Sequence, residues 1–241
     1  MNIGIIITVR NNSYRFQNKA IQPYGPDFTN IGFQISRARK LHRTARPIII
    51  ATTEQPEDDI FRDYLAEDVT IVHRNPPTDV WSRHNIAFAE LDYALMIDGD
   101  YPLFDIKMAN KLIESITLKP GFDIYHVDSP EISIDGIGSK VYAKSFLAKC
   151  KRILDVHAHK DKMAEHYWIL EDHNPQYFKK KVIPFPGDPT VTPVKMSIDY
   201  PLEMAIQNLI IKWVGHYPTQ EEYLQAYKEI KHVGVLHDSH G

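Results

Sequence analysis

The hydrophobic pattern of the chain alternates between short apolar runs and longer stretches with helical spacing. The apolar runs are rich in β-branched residues, which is typical of strands buried on both faces, and they predict strands at 3–9, 47–51, 69–72 and 93–97. Helical spacing between them predicts helices at 32–42, 57–65 and 79–91. This alternation with short connections indicates an α/β fold whose sheet is mostly parallel and covered by helices on both faces.

The pattern is less regular after residue 118, where a small β-containing subregion is predicted. Further strands are expected at 122–127, 137–142, 181–183 and 194–198, and further helices at 161–170, 200–213 and 219–228. The proline-rich run 184–189 is expected to be a loop, because proline fixes φ and lacks an N–H donor. We predict one domain over residues 1–241, with this subregion inserted in it or appended to it.

Composition and charge exclude several classes of protein. Apolar residues make up 43% and charged residues 24% of the 241, so wholesale disorder is excluded, and a net charge of −3 does not suit nucleic-acid binding. No segment approaches the ~18 apolar residues of a membrane span, and the start resembles no signal peptide. The one cysteine, Cys150, forbids an internal disulfide and favours a reducing, cytoplasmic location.

Three cations and a hydroxyl follow the first predicted strand, where open α/β sheets bind ligands. They are Arg10, Ser13, Arg15 and Lys19. Arginine offers a planar fork of donors, lysine a point charge and serine one more donor, which together suit a polyphosphate. The alternative is a solvated basic loop. The glycines of a Walker loop are absent from this segment.

Two carboxylates follow the fourth predicted strand, and another precedes the helix predicted at 200–213. Asp98 and Asp100 flank Gly99, and their oxygens suit a hard cation such as Mg²⁺, although a plain Asp-Gly turn is the alternative. Asp199 stands before Tyr200-Pro201 and, by itself, favours a helix cap. Glu203 is expected to complement the dipole of that helix.

Six segments, in order along the chain, resemble motifs of the SpsF-type and CMP-sugar-acid cytidylyltransferases. They are 5–21, similar to I-x-A-R-x-x-S-x-R-x-P-x-K-x-L; 48–59, similar to a strand with A-T-x and D-D; 78–83, similar to D-V-L-x-R; 98–103, similar to G-D-x-P-L; 165–166, similar to R-E-H; and 197–203, similar to V-D-x-P-x-D.

The chain departs from these motifs at several positions. Gln17 replaces a proline, and Asn12 and Asn18 replace glycines, although asparagine tolerates a positive φ well enough to keep the shape of the loop. Lys140 stands where SpsF-type chains have glutamate, and Ala164 replaces the arginine of R-E-H.

The resemblance implies transfer of CMP from CTP to a small anionic acceptor, such as a sugar acid or another precursor of a cell-surface polysaccharide, with release of pyrophosphate. It assigns Lys19, Arg10 and Asp100 to catalysis, and it adds nucleotide binding by Ser13, Arg15, Asp79 and Arg83 to that of Arg10 and Lys19. It places Mg²⁺, with Mn²⁺ as a substitute, on Asp100 and Asp199, and it places the acceptor beside Asp98, Lys140 and His166.

The resemblance also implies a Rossmann-like, GT-A-like sheet and a homodimer. The nucleotide-binding half would be 1–118, the acceptor-binding and dimerisation half 119–215, and the C-terminal helix and tail 216–241. Two rival functions stay open. A GT-A-type glycosyltransferase could use Asp98-Gly99-Asp100 as its metal motif, but it needs no cationic loop after the first strand. The other rival is a nucleotide-binding protein without turnover.

Overall fold

The computed structural model describes residues 1–128, 139–156, 160–184 and 195–232. The strands are β1 Ile3–Thr8, β2 Pro23–Tyr24, β3 Phe28–Thr29, β4 Ala45–Thr52, β5 Val69–His73, β6 Tyr93–Asp98, β7 Ile124–Asp128, β8 Lys140–Ala143 and β9 Lys180–Pro184. The α-helices are α1 Asn30–Ala38, α2 Val80–Ala87, α3 Ile106–Leu118, α4 Lys144–Val156, α5 Lys160–Glu165, α6 Leu170–His173, α7 Pro201–Val214 and α8 Gln220–His232. Short 3₁₀ helices lie at Lys19–Ile21, Pro56–Tyr64, Tyr167–Ile169 and Pro175–Tyr177.

Seven strands form one sheet in the order β5-β4-β1-β6-β8-β7-β9. The first four are parallel to one another, β8 runs antiparallel to both β6 and β7, and β9 is parallel to β7. The mostly parallel sheet is therefore confirmed. The described strands after residue 118 extend this sheet, and β2 and β3 form a separate two-stranded ribbon.

Helices cover both faces of the sheet, as predicted. Alternate residues of β1 face opposite sides, so Ile5 belongs to one apolar core and Ile6 to the other. The first core also contains residues of α1, α3, α7 and α8, and the second contains residues of α2, α4 and α6. The two cores hold the strand ends, and the loops that follow them, in a fixed arrangement.

Most predicted elements agree with the structure, but several described segments differ. Strands β2 and β3 were not predicted, the helix predicted at 57–65 is a 3₁₀ helix, and the helix predicted at 161–170 is divided into α5, a 3₁₀ helix and the start of α6. Helices α3 and α4 were not predicted, although α3 begins with a cap in which Asp105 accepts a hydrogen bond from the N–H of Met108 at 2.8 Å. The predicted strand at 194–198 is wrong for its described residues, 195–198, which lie outside the named strands. Pro184 ends β9 instead of opening the predicted loop, and 185–189 fall outside the described residues.

Among the helices of the described residues, none is both long and apolar enough to cross a membrane. The division of the chain into halves at residue 118 stays a prediction.

Candidate active site

The candidate site lies where the carboxyl ends of β1 and β6 meet. Parallel pairing puts Thr8 opposite Asp98 at the last position of both strands. The N–H of Gly99 then donates to the Thr8 carbonyl oxygen at 2.8 Å. A Cβ at position 99 would lie 2.7 Å from that oxygen, so only glycine fits without a shift of the backbone. The loop after β1 and the turn after β6 are thus joined through their main chains.

The loop after β1, residues 10–19 and here called the first loop, is closed by its own backbone. The Asn11 carbonyl oxygen accepts hydrogen bonds from the N–H of Ser13 at 3.1 Å and of Asn18 at 2.9 Å. Asn18 has a φ of 57°, which confirms the expectation that asparagine adopts the left-handed region at this position. The same expectation is wrong for Asn12, whose φ is not positive and whose amide donates to a Glu57 carboxylate oxygen at 3.0 Å.

Asp58 anchors the first loop, a role that the sequence analysis missed. The residue is only 1% exposed, and its Oδ1 accepts a hydrogen bond from the N–H of Asn11 at 2.6 Å. Its Oδ2 accepts from the Thr52 hydroxyl at 3.0 Å and from both the N–H and the hydroxyl of Thr53. A buried carboxylate therefore ties the first loop to the end of β4. The D-D motif marked this residue, but not its contacts.

Lys19 joins three separate segments at the site. Its Nζ donates to the Ile198 carbonyl oxygen at 2.8 Å and lies 3.4 Å from Oδ2 of Asp100. The N–H of Ile198 in turn donates to the Asp100 carbonyl oxygen at 2.8 Å. The structure thus brings together Lys19, Asp100 and the residue before Asp199, which are separated by 81 or more positions in sequence.

Asp199 lies between two cations. The Arg15 guanidinium is 2.5 Å from its Oδ1, and the Lys195 ammonium is 2.7 Å from its Oδ2. Burial tends to raise the pKa of Asp199, but the hydrogen bond from Lys195 and the charges of Lys195, Arg15 and Lys19 outweigh it and hold the pKa below its usual value. The carboxylate is therefore ionised near neutral pH.

The cap of helix α7 is made by other residues than Asp199. Tyr200 is the N-cap, and the Glu203 carboxylate accepts hydrogen bonds from the N–H groups of Asp199 at 2.5 Å and Tyr200 at 2.9 Å. The reading of Asp199 as a helix cap is therefore wrong, and the first-turn role expected of Glu203 is confirmed. This arrangement leaves the Asp199 side chain to face Arg15 and Lys195.

Arg83, in α2, is a buried cation with unused donors. It is 2% exposed, and its Nη2 donates to the Pro77 carbonyl oxygen at 3.1 Å. Its Nε and Nη1 are also buried, and neither has a hydrogen-bond partner among the described residues. An unsatisfied buried donor costs about 1–3 kcal/mol, so a water molecule or a ligand atom is expected to accept from these groups.

The surroundings of Arg83 contain a second cation and three carboxylates. Burial, and then the charge of Arg10, lower the pKa of Arg83, whereas Asp58, Asp79 and Glu165 act to raise it. Arg10 is exposed, so the two arginines differ in access to solvent. Asp79 caps α2 by accepting from the N–H of Ser82 at 3.1 Å. Arg10, Arg83 and Asp79 thus belong to one region.

Asp98 and Lys140, two of the residues predicted to bind the acceptor, are neighbours in the sheet. Asp98 is exposed at the end of β6, and Lys140 stands opposite Met96 in β8, which makes Lys140 a diagonal neighbour of Asp98 on the same face, at roughly 7–8 Å. The Lys140 ammonium donates to Oε1 of Glu171 at 2.8 Å. Glu171 is a partner of Lys140 that nothing in the sequence indicated.

His166 is exposed, and its ring packs edge-to-face on Trp168 with 5.2 Å between ring centroids. The next residue, Tyr167, is buried and belongs to a hydrogen-bond chain that the sequence did not reveal. Its hydroxyl lies 2.8 Å from Nδ1 of His84, whose Nε2 lies 2.7 Å from the Thr8 hydroxyl. Burial, helped by the charge of Arg83, lowers the pKa of His84 to about 3, so this ring is neutral.

The carboxylates at the site suit a hard cation that also takes ligands from a substrate. Asp100 and Asp199 offer oxygen atoms, and the described residues contain no group of three or more His, Cys, Asp or Glu side chains arranged to hold a metal. Mg²⁺ commonly binds one or two carboxylates and completes its shell with phosphate oxygens and water. The donor set therefore fits a metal that enters together with a nucleotide.

No family model matches the chain, and no curated protein matches it. Solved structures do. A cytidylyltransferase from Leptospira borgpetersenii matches with 21% identity and a TM-score of 0.80, covering 98% of this chain and 96% of its own. A CMP:2-keto-3-deoxy-manno-octonic acid synthetase complexed with CTP matches with 12% identity and a TM-score of 0.64, covering 88% and 99%. A Mycobacterium tuberculosis protein complexed with manganese matches with 13% identity and a TM-score of 0.56, covering 86% and 97%. The chain therefore has the fold of these proteins.

Proposed function

We propose that this protein is a cytidylyltransferase that transfers CMP from CTP to an anionic acceptor, a sugar acid or a related precursor, and releases pyrophosphate. The observation that carries the proposal is the meeting of Lys19 and Arg15 with Asp100 and Asp199 at the carboxyl edge of the sheet. The shared fold with a CTP-bound synthetase supports it. A cytoplasmic location and a homodimer remain part of the proposal.

The cations would hold the triphosphate. Lys19 and Arg10 would bind the β and γ phosphates, and Arg15 the α phosphate, because these side chains belong to one loop whose backbone is closed. The N–H of Ser13 is used within that loop, so its hydroxyl is the group left for the nucleotide. Arg83 has unused donors and is within electrostatic range of Arg10 and Asp79, which supports the assignment of this region to the nucleotide.

Asp100 and Asp199 would hold the divalent cation. When bound, such an ion neutralises phosphate charge and lowers the pKa of an acceptor hydroxyl. An acceptor oxygen would attack the α phosphorus in line, forming a new P–O bond while the bond to the bridging oxygen breaks. Pyrophosphate leaves with that electron pair, and the hydroxyl proton passes to water. Little covalent chemistry is needed from the protein, so positioning and charge neutralisation carry the rate.

The test is pyrophosphate release with CTP, ATP, GTP and UTP, each against a panel of sugar acids, phosphonates and neutral sugars. We expect release with CTP and an acid acceptor, and loss of release when EDTA removes divalent cations. Release of a nucleoside diphosphate from a nucleotide sugar would instead indicate the glycosyltransferase. Binding of CTP without release for any acceptor would favour the protein without turnover.

A further inference from the structure

Two lysines and one buried carboxylate form a cluster beside the candidate site. The Glu171 carboxylate is 2% exposed, and its Oε1 lies 2.8 Å from the Lys140 ammonium and 3.3 Å from the Lys180 ammonium. Lys180 was not among the predicted site residues. The Glu171 carboxylate thus lies within ion-pair distance of both ammonium groups at once, although the two lysines belong to different strands.

Both lysines lie on one face of the sheet. In β7, His126 pairs with Lys140 of β8, and Ile124 pairs with Lys180 of β9. Because His126 and Ile124 are two positions apart on one strand, their partners point to the same side. Asp98 shares this face as the diagonal neighbour of Lys140, so the cluster adjoins the turn that carries Asp100.

The charges of the cluster do not balance. One carboxylate faces two ammonium groups, so the three side chains carry a net charge of +1. The Glu171 side chain is buried, whereas Lys140 and Lys180 keep 34% and 36% of their side-chain surface exposed. Each ammonium has three donors, and one bond to Glu171 leaves the others for solvent or a ligand.

We propose that Lys140 and Lys180 together bind the carboxylate of the acceptor, with Glu171 holding their ammonium groups from the buried side. This inference rests on the proposed function and adds a second cation to the acceptor site. The three side chains complement one negative charge on the ligand, and the Asp98 carboxylate beside Lys140 would repel a second one, so a carboxylate is favoured over a phosphate dianion. Asp98, on the other side of Lys140, would accept hydrogen bonds from acceptor hydroxyls.

The test is a binding titration with three probes that share one carbon skeleton, and binding is measured by NMR of the ligand. They are 2-ketogluconate, which carries a C1 carboxylate, fructose, which carries a C1 hydroxymethyl group, and fructose 1-phosphate. We expect 2-ketogluconate to bind the wild-type protein and fructose to bind at least tenfold more weakly. Lys140→Gln and Lys180→Gln should each weaken 2-ketogluconate binding about tenfold or more, as expected for a lost charged hydrogen bond.

Lys181→Gln is the matched control, because the same strand places Lys181 opposite Tyr125 on the other face. Its affinity for 2-ketogluconate should stay within twofold of wild type. Equal affinity for fructose, tighter binding of fructose 1-phosphate, or no effect of Lys180→Gln would each overturn the subsite. CTP is titrated in parallel by calorimetry. Bound CTP without bound 2-ketogluconate would overturn this inference alone, whereas the absence of CTP binding would count against the proposed function.

Discussion

The Lys19 ammonium lies 3.4 Å from a carboxylate oxygen of Asp100. The lysine predicted to bind phosphate therefore pairs with the carboxylate predicted to bind the metal ion. In the same way, the Arg15 guanidinium lies 2.5 Å from Oδ1 of Asp199. In the chain by itself, cations and carboxylates therefore neutralise one another. Under the proposed function, the phosphates of CTP would take over the cations while a divalent ion takes over the carboxylates. Nucleotide and metal are then expected to enter together.

Asp100→Asn and Asp199→Asn should each lower the rate of pyrophosphate release at least about 100-fold, because an amide is a poor replacement for a charged ligand of a divalent cation. Asp59→Asn is the control, since that carboxylate is 66% exposed and pairs with Arg62 on the surface. The measurement is the release rate against Mg²⁺ concentration. Wild-type rates in either variant, or full activity in EDTA, would contradict the metal assignment.

Lys19→Ala should weaken CTP binding about 10- to 150-fold, the range for a lost charged hydrogen bond of ~1.5–3 kcal/mol. Calorimetric titration with CTP measures the effect. Lys107→Ala, at an exposed lysine of α3, controls for the loss of one positive charge and should leave the dissociation constant unchanged. Equal dissociation constants for Lys19→Ala and wild type would remove Lys19 from the nucleotide site.

Asp58→Asn should lower the free energy of unfolding by about 1–3 kcal/mol, because an amide nitrogen would face donors that now meet a carboxylate. Since one of those donors is the N–H of Asn11, CTP binding should weaken as well. Urea unfolding measures the first effect and calorimetry the second. Asp59→Asn, the exposed neighbour, should change stability by less than about 0.5 kcal/mol. Unchanged CTP affinity would show that the anchor does not shape the first loop.

His84 should make stability depend on pH. Its pKa is about 3 in the folded chain, below the ordinary value near 6.5, so between these values the unfolded chain binds a proton that the folded chain does not. The free energy of unfolding should therefore fall as the pH drops below about 6.5, with a slope from this residue of up to about 1.4 kcal/mol per pH unit.

Urea unfolding of wild type and His84→Gln at about pH 5 and about pH 7.5 measures this slope. Glutamine is uncharged at both pH values, so the variant should lose less stability than wild type on acidification. His42→Gln, at an exposed histidine, should retain the wild-type difference between the two pH values. Equal losses in His84→Gln and wild type would place the pH dependence elsewhere.

The sheet was predictable because burial on two faces produces runs of apolar β-branched residues. The strands β1, β4, β5 and β6 therefore appear in sequence within a few residues of their observed bounds. The same pattern predicted a strand that includes 195–198, where the structure has none of the named strands. Met196 and Ile198 are buried, but the N–H of Ile198 bonds to the loop residue Asp100 instead of a neighbouring strand. Apolar spacing reports burial, and it does not report the hydrogen-bond partner.

Part of the site was predictable from residues in the loops that follow strands, whereas Asp79, Arg83 and Asp199 were assigned by the motif resemblance. Arg15 and Lys19 belong to the loop after β1 and Asp100 to the turn after β6, and the topology rule brings these two segments together. Glu171 and Lys180 could not be found in this way, because their meeting depends on the packing of α6 against a strand later in the chain. Asp58 likewise has no local sign of burial, since acidic residues near a helix start are common at exposed positions.

Strand β8 runs opposite to its neighbours β6 and β7, and this reversed strand separates two parts of the proposed site. Donor chemistry would depend on loops from the parallel strands, whereas recognition of the recipient would fall to lysines on β8 and β9, beyond the reversal. Substitutions at Lys140 and Lys180 would therefore alter acceptor recognition without touching the residues proposed to bind CTP and the divalent cation. Proteins with this arrangement could therefore evolve to use a different acceptor through substitutions at a few positions, while the transfer reaction stays the same.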